Sequence, residues 1–299
     1  MSTINPALTL DDLPAPPPRK SGWPWTEQSR PPLVSKMPPI SIITPSYNQG
    51  EFIEATIRSV LLQGYSNLDY IVIDGGSTDN SVEIIKKYQP YLSYWVSEKD
   101  GGQSDAINKG INKSTGEIIG WINSDDVYTK NSFSKVINGF SRNSDCILVH
   151  GDRILIDRDD NVTGWGFLPA FDPTKAGFNV CSETAFWRRS AMEQVGLLDK
   201  DLKFAVDLEF FCRLYKVGKF IKLNEYLGYF RCHADSKSST IAHIGKQEAE
   251  REWQKLFGSD NTNWKVSPQS NFFIHRLSIF KHPILIGYPY LVHKFKNKL

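Results

Sequence analysis

The feature that most constrains this chain is the alternation of short apolar runs with amphipathic stretches over residues 40–149. Residues 40–44 suit a buried strand. Residues 51–63 place Ile53, Ile57, Val60 and Leu61 on one helical face, and Gly64 stops that helix. Strands follow at 70–73, 94–96, 118–122 and 146–149. Between them lie a helix capped by Asp79 or Asn80 that carries Val82, Ile84 and Ile85, a short helix at 103–112, and one at 131–141. Such alternation with short connections predicts an α/β fold, a mostly parallel sheet with helices on both faces.

In sheets of this kind ligands bind beyond the carboxyl ends of the strands. Those ends read Thr44-Pro45-Ser46-Tyr47-Asn48, then Asp74-Gly75-Gly76-Ser77-Thr78-Asp79, then Ser97-Glu98-Lys99-Asp100-Gly101-Gly102, then Asn123-Ser124-Asp125-Asp126. All four clusters are expected on one edge of the sheet. Turns alone do not require so many carboxylates there.

Adjacent Asp125 and Asp126 repel one another unless a cation or a donor lies between them. Hard divalent ions, Mn2+ or Mg2+, suit one or two carboxylates plus substrate phosphates. A solvated turn or helix cap is the alternative. Glycines 75 and 76 beside Asp74 allow a ligand close to the backbone, and Asp105 follows the pair Gly101-Gly102. No Gly-x-x-x-x-Gly-Lys-Ser/Thr loop is present, and no Gly-x-Gly-x-x-Gly follows the first strand.

Composition excludes several classes. The 299 residues carry a net charge of +2, which argues against a globally basic nucleic-acid binder and an acidic disordered chain. No run approaches the ~18 apolar residues of a membrane span, and no signal peptide is legible at the N-terminus. Cys146, Cys181, Cys212 and Cys232 lie far apart, so reduced thiols and a cytoplasmic location are expected.

The ends differ from the middle. Residues 1–39 hold ten of the seventeen prolines, with Pro14, Pro16, Pro17 and Pro18 followed by Trp23-Pro24-Trp25. This is an extended arm, either a disordered leader or a segment whose Trp23 and Trp25 dock on the body or a partner. Residues 265–299 carry Lys265, Arg276, Lys281, Lys294, Lys296 and Lys298 and no acid, a charge of +6 against −4 for the rest. Phe273, Leu277 and Phe280 recur at helical spacing. Such a basic amphipathic segment suits an anionic membrane surface, or packs on the body with its lysines in water.

Taken together, Ser41-Ile-Ile-Thr-Pro-Ser-Tyr-Asn48, Ile73-Asp-Gly-Gly-Ser-Thr-Asp79, Asn108-Lys-Gly110 with Gly116-Glu117, and Trp121-Ile-Asn-Ser-Asp-Asp126 resemble family 2 of the glycosyltransferases. The resemblance spans residues 40–240. It implies a GT-A-type nucleotide-binding fold and an inverting, metal-dependent transfer from a nucleoside-diphosphate sugar, UDP favoured, to a hydroxyl acceptor such as a glycan or lipid-linked glycan. Residues 40–150 would form the nucleotide-sugar half, 151–240 the acceptor and catalytic half, and 241–299 a helical, basic extension.

By the same resemblance Pro45, Tyr47 and Asn48 contact the nucleotide. Asp74 holds base and ribose, with Gly102, Asp105 and Asp125 also on the nucleotide-sugar side. Gly75 stands where many members have a second aspartate that contacts the base. Asp126 is the direct metal ligand, joined by His233, and Arg231 neutralises phosphate. Asp207 is the general base, with Glu209 as its fallback; an acid at a helix N-terminus is also favoured by the dipole alone. Glu183 and Trp187 fall on the acceptor side, where Trp187 either stacks on a sugar or belongs to the core. A catalytically silent nucleotide-sugar or glycan-binding module is the competing reading, separated from the enzyme by the role of Asp207.

Overall fold

The computed structural model describes residues 7–34, 37–166, 168–172 and 180–258. The alternation expected from the sequence is present: β1 (Ile40–Ser46), α1 (Ile53–Leu61), β2 (Leu68–Asp74), α2 (Ser81–Tyr88), β3 (Tyr94–Ser97), α3 (Gln103–Lys113) and β4 (Ile118–Trp121). After β4 come the two-residue β5 (Val127–Tyr128), α4 (Ser132–Arg142), β6 (Cys146–Ile156), β7 (Val162–Gly166), β8 (Ala185–Arg188), α5 (Arg189–Val195), α6 (Val206–Tyr215), β9 (Lys219–Arg231), α7 (Lys237–Thr240) and α8 (Ala242–Phe257).

The strands form one sheet ordered β3-β2-β1-β4-β8-β6-β9-β5, with β7 pairing β6. The first four are parallel, and β6 and β9 are also parallel; the remaining pairs are antiparallel. Successive side chains of a strand point to opposite faces. Ile40, Ile42, Tyr70 and Val72 therefore pack with Ile57 and Val60 of α1, Ile85 of α2, and Phe133 and Val136 of α4. On the other face Ile43 and Ile119 meet Ile107 and Ile111 of α3, together with Trp187 of β8 and Phe210 and Phe211 of α6. Ile71 and Ile73 reach Ala106 of α3. The helix α3 lies so close to β1 that a Cβ on Gly110 would come within 2.5 Å of Ile43. Asn108 fastens α3 to the loop after α5, donating to Leu198 O (2.8 Å) and accepting from Leu198 N (3.0 Å).

Beyond β5 the structure adds two features to the sequence reading. The division at residue 150 falls inside β6, which runs to Ile156 and pairs with both β8 and β9, so the two halves share one sheet. The 13-residue β9 carries no clear period-two signal in the sequence: its first half is only partly buried and interrupted by Lys222, Asn224 and Glu225. The basic segment 265–299, with its suggested membrane surface, lies outside the described residues. Among the described residues no helix is long and apolar enough to cross a membrane. The four cysteines are unpaired.

The arm docks on the body. Trp25 is 5% exposed, and the Trp23 indole N–H donates to Tyr128 O at 2.7 Å. Arg58 of α1, 1% exposed, aims its guanidinium at three arm carbonyls, Pro14 (2.7 Å), Pro24 (3.1 Å) and Trp25 (2.9 Å), and at Tyr88 Oη (3.1 Å). A fork of donors satisfied by backbone carbonyls turns a proline-rich segment into part of the fold. Arg58→Ala strands those carbonyls and opens a cavity. It is expected to lower stability by about 2–4 kcal/mol and to speed proteolysis within residues 7–34. A denaturation midpoint and a cleavage rate equal to those of the parent would contradict this role for Arg58.

Candidate active site

The carboxyl ends of β1 to β4 border a cleft of about 640 Å³, as the sheet topology predicts. Pro45, Ser46, Tyr47 and Gln49 come from the end of β1, Gly75 and Gly76 from β2, Lys99, Asp100, Gly102 and Gln103 from the β3–α3 turn, and Asn123, Ser124 and Asp125 from β4. Asp235, Ser236, Lys237 and Ser238, after β9, close the far side. The Tyr47 side chain is left 61% exposed at the rim. Gly102 sits at φ +104°, a conformation that favours glycine, and opens α3 at the cleft.

Several expected contact residues hold the loops instead. Asp74 is fully buried and accepts from the backbone N–H groups of Gly76 (3.1 Å) and Ser77 (2.9 Å) and from the hydroxyls of Ser77 and Ser97. Its oxygens shape the turn and do not line the cleft. Asn48, at φ +52°, accepts from Thr78 N (2.8 Å) and donates its own N–H to Ser77 Oγ (2.7 Å), so it ties the first loop to the second. Asp105 pairs with Lys200 (2.6 Å) and accepts from Gly101 N (3.1 Å); these partners hold its carboxyl below the usual range.

The two adjacent aspartates have different surroundings. Asp126 is 1% exposed and accepts the backbone N–H of Arg231 at 2.9 Å. Burial, then the nearby charge of Asp125, pushes its pKa well above the ordinary value. Asp125 lines the cleft, and its Oδ2 lies 3.0 Å from Nε2 of His233. The short β5 explains this proximity: Val127 registers with Tyr229, so the turn before β5 and the end of β9 are neighbours. Arg231 is not available to phosphate. Its guanidinium is 1% exposed, donates to Asp125 O (2.8 Å) and Asp157 O (2.9 Å), and pairs with Asp160 (2.7 Å).

Among the described residues no group of three or more His, Cys, Asp or Glu is arranged around a common metal position. Asp125 and His233 nevertheless fit two corners of one. Donors each about 2.1 Å from a cation and at right angles to it lie ~3 Å apart. A divalent cation there would be held by Asp125 and His233 and would supply positive charge to a diphosphate; His233 Nδ1 is buried with no partner.

Asp207 lies in the first turn of α6, half-buried. Its Oδ1 accepts from Leu208 N at 2.8 Å. Burial, aided by the charge of Glu183, pushes its pKa up to about 6. Glu209, the fallback base, is committed to a bidentate pair with Arg213 (2.6 and 2.8 Å). Glu183 is 2% exposed beside Arg153 (3.4 Å), and Trp187 is fully buried against Trp121, Phe210 and Phe211. The indole of Trp187 therefore belongs to the core and has no free face for a sugar.

Sequence reading missed three residues. Glu248 of α8 gathers the backbone N–H groups of Lys203, Phe204 and Ala205 and fixes the entry to α6, and with it Asp207. Its own helix reads only as Glu- and Lys-rich. Lys237 lines the cleft within electrostatic reach of both Asp207 and Asp125. Asp100 stood in the third sheet-edge cluster, but its direction was not legible there.

The family model for glycosyl transferase family 2 matches residues 41–221. An uncharacterized glycosyltransferase of Nostoc sp. is 28% identical over 227 residues, 70% of this chain and 70% of its own. Among solved structures, S. aureus TarS 1–349 in complex with UDP-GlcNAc aligns with a TM-score of 0.57 and 18% identity, over 77% of this chain and 76% of that one. The mannosyltransferase PcManGT of Pyrobaculum calidifontis, in complex with GDP-Man and Mn2+, gives 0.58 and 18%, over 87% and 73%. These neighbours have GT-A-type folds, and this sheet shares the architecture. With a matching family model over most of the sheet and a carboxylate-rich cleft at its carboxyl edge, the chain belongs to glycosyl transferase family 2 and is a glycosyltransferase.

Proposed function

We propose that the protein is an inverting glycosyltransferase that moves a sugar from a nucleoside-diphosphate sugar to an acceptor hydroxyl. The observation that carries the reading is the cleft at the carboxyl edge of β1 to β4, where Asp125 lies 3.0 Å from His233; Asp207, whose pKa burial pushes up to about 6, opens α6 as the candidate base. A base poised near neutrality is both ionised at working pH and a competent proton acceptor.

Tyr47 at the rim and the glycine-lined floor receive the nucleoside, and the diphosphate lies toward Asp125, His233 and Lys237. Asp125 and His233 would hold a divalent cation, Mn2+ or Mg2+, whose charge offsets that of the diphosphate. Asp207 takes the proton of the acceptor hydroxyl as its oxygen bonds to the anomeric carbon. The bond from that carbon to the diphosphate oxygen breaks on the opposite face, and the nucleoside diphosphate leaves with the electron pair. One displacement inverts the centre and requires no covalent enzyme intermediate. Lys237 adds positive charge beside the leaving group.

Asp207→Asn is expected to lower kcat about 10²- to 10⁴-fold while donor affinity stays unchanged. In the parent enzyme kcat rises with pH and levels above about 6, because a protonated Asp207 cannot accept the proton. Full turnover by Asp207→Asn, or a rate independent of pH across that region, would remove Asp207 as base. His233→Ala is expected to weaken Mn2+-dependent nucleotide binding at least ~10-fold in calorimetry. Equal Mn2+ dependence in that variant would remove His233 as a ligand.

A further inference from the structure

The proline-rich arm touches the two segments that carry Asp125 and His233. Trp25 is buried with Ala55 of α1 and Val127 of β5, and Trp23 and Tyr229 of β9 pack against the same cluster. From Trp23 onward the arm runs in step with the chain that follows the aspartate turn. The Trp23 indole N–H donates to Tyr128 O (2.7 Å), Glu27 pairs with Lys130 (2.8 Å), and Ser29 Oγ accepts from Asn131 N (2.9 Å). Earlier in the arm, Lys20 pairs with Asp160 Oδ2 at 2.7 Å, and the other oxygen of Asp160 pairs with Arg231 of β9 at 2.7 Å.

These contacts fall where the cleft is least able to hold itself. β5, which follows the turn bearing Asp125, has two residues, and only Val127 with Tyr229 and Tyr128 with Gly228 join it to β9. So short a ladder is weak alone. α1 secures part of it: Thr56 Oγ1 lies 2.9 Å from Ser124 O and 2.7 Å from Asp126 O, and the ring of Phe52 lies 4.9 Å from that of His233. Arg58 ties the arm to this same helix. We infer that the docked arm is a positioning element of the cleft: through Trp23 and Lys20 it holds the Asp125 turn against the end of β9 and keeps Asp125 within reach of His233. The inference rests on Asp125 and His233 acting together at the donor site.

The test compares the full chain with a double variant, Lys20→Met with Trp23→Phe, which loses the ion pair and the indole bond but keeps apolar bulk. Hydrogen–deuterium exchange is expected to quicken about tenfold at residues 124–128 and 229–233, with α2 and α3 unchanged. Calorimetry is expected to show Mn2+ binding weakened about 3- to 10-fold. Lys20→Arg in the Trp23 parent keeps the cation and is expected to match the parent in both readouts. Faster exchange confined to residues 7–34, or spread evenly over the sheet, overturns the positioning role, because the arm then adds stability alone. Unchanged Mn2+ affinity in the double variant of a parent that binds Mn2+ overturns it too. A parent that binds no Mn2+ removes the cation from Asp125 and His233, and exchange at 124–128 and 229–233 then decides for or against the arm by itself.

Discussion

The site depends on the buried guanidinium of Arg231. It joins three segments that are distant in sequence: the turn between β4 and β5 through Asp125 O, the connection between β6 and β7 through Asp157 O and Asp160, and the end of β9, on which it stands. Its backbone N–H adds a bond to Asp126. A buried cation is tolerated only when its donors are met, and here each guanidinium nitrogen meets a carbonyl or a carboxylate. Asp160 also pairs with Lys20 of the arm at 2.7 Å, so the proline-rich segment and the catalytic cleft share one ionic node. The residue that resembled a phosphate ligand in sequence is a clamp that sets the spacing between Asp125 and His233.

From that clamp the electrostatics of the site follow. Asp126 is sealed beneath the turn and burial raises its pKa, whereas Asp125, one residue earlier, reaches the cleft. Two neighbouring carboxylates thus have opposite surroundings, one sealed and one open to the cleft. Asp207 owes its raised pKa to burial and to the charge of Glu183, and its position to Glu248 on a different helix. A carboxylate with a pKa near 6 is therefore produced by elements separated by some distance along the chain, brought together by the packing of α6 against α8.

What the sequence made legible follows the same division. The parallel half was readable because Ile40, Ile42, Ile43 and their counterparts in β2 and β4 are apolar on both faces, and because turn residues mark each carboxyl end. The location of the cleft followed from that pattern. Individual roles did not, since Asp74, Asn48 and Asp105 have the residue types of ligand contacts and spend their oxygens on backbone N–H groups and hydroxyls. Trp187 looked equally suited to a sugar face or to the core, and only the antiparallel pairing of β8 with β4 and β6 decides for the core. Long-range pairs such as Arg231 with Asp157, or Glu248 with Ala205, leave no local signal.

The central claim is that the carboxyl edge of the parallel strands, closed by the segment after β9, is where the nucleotide sits. Hydrogen–deuterium exchange of the full chain with and without UDP and Mn2+ tests it directly. Slower exchange is expected at residues 45–49, 75–76, 99–103, 123–125 and 233–238, with the remote face around α4 unchanged. Protection confined to the α4 face or to the arm, with none at those five segments, would contradict it.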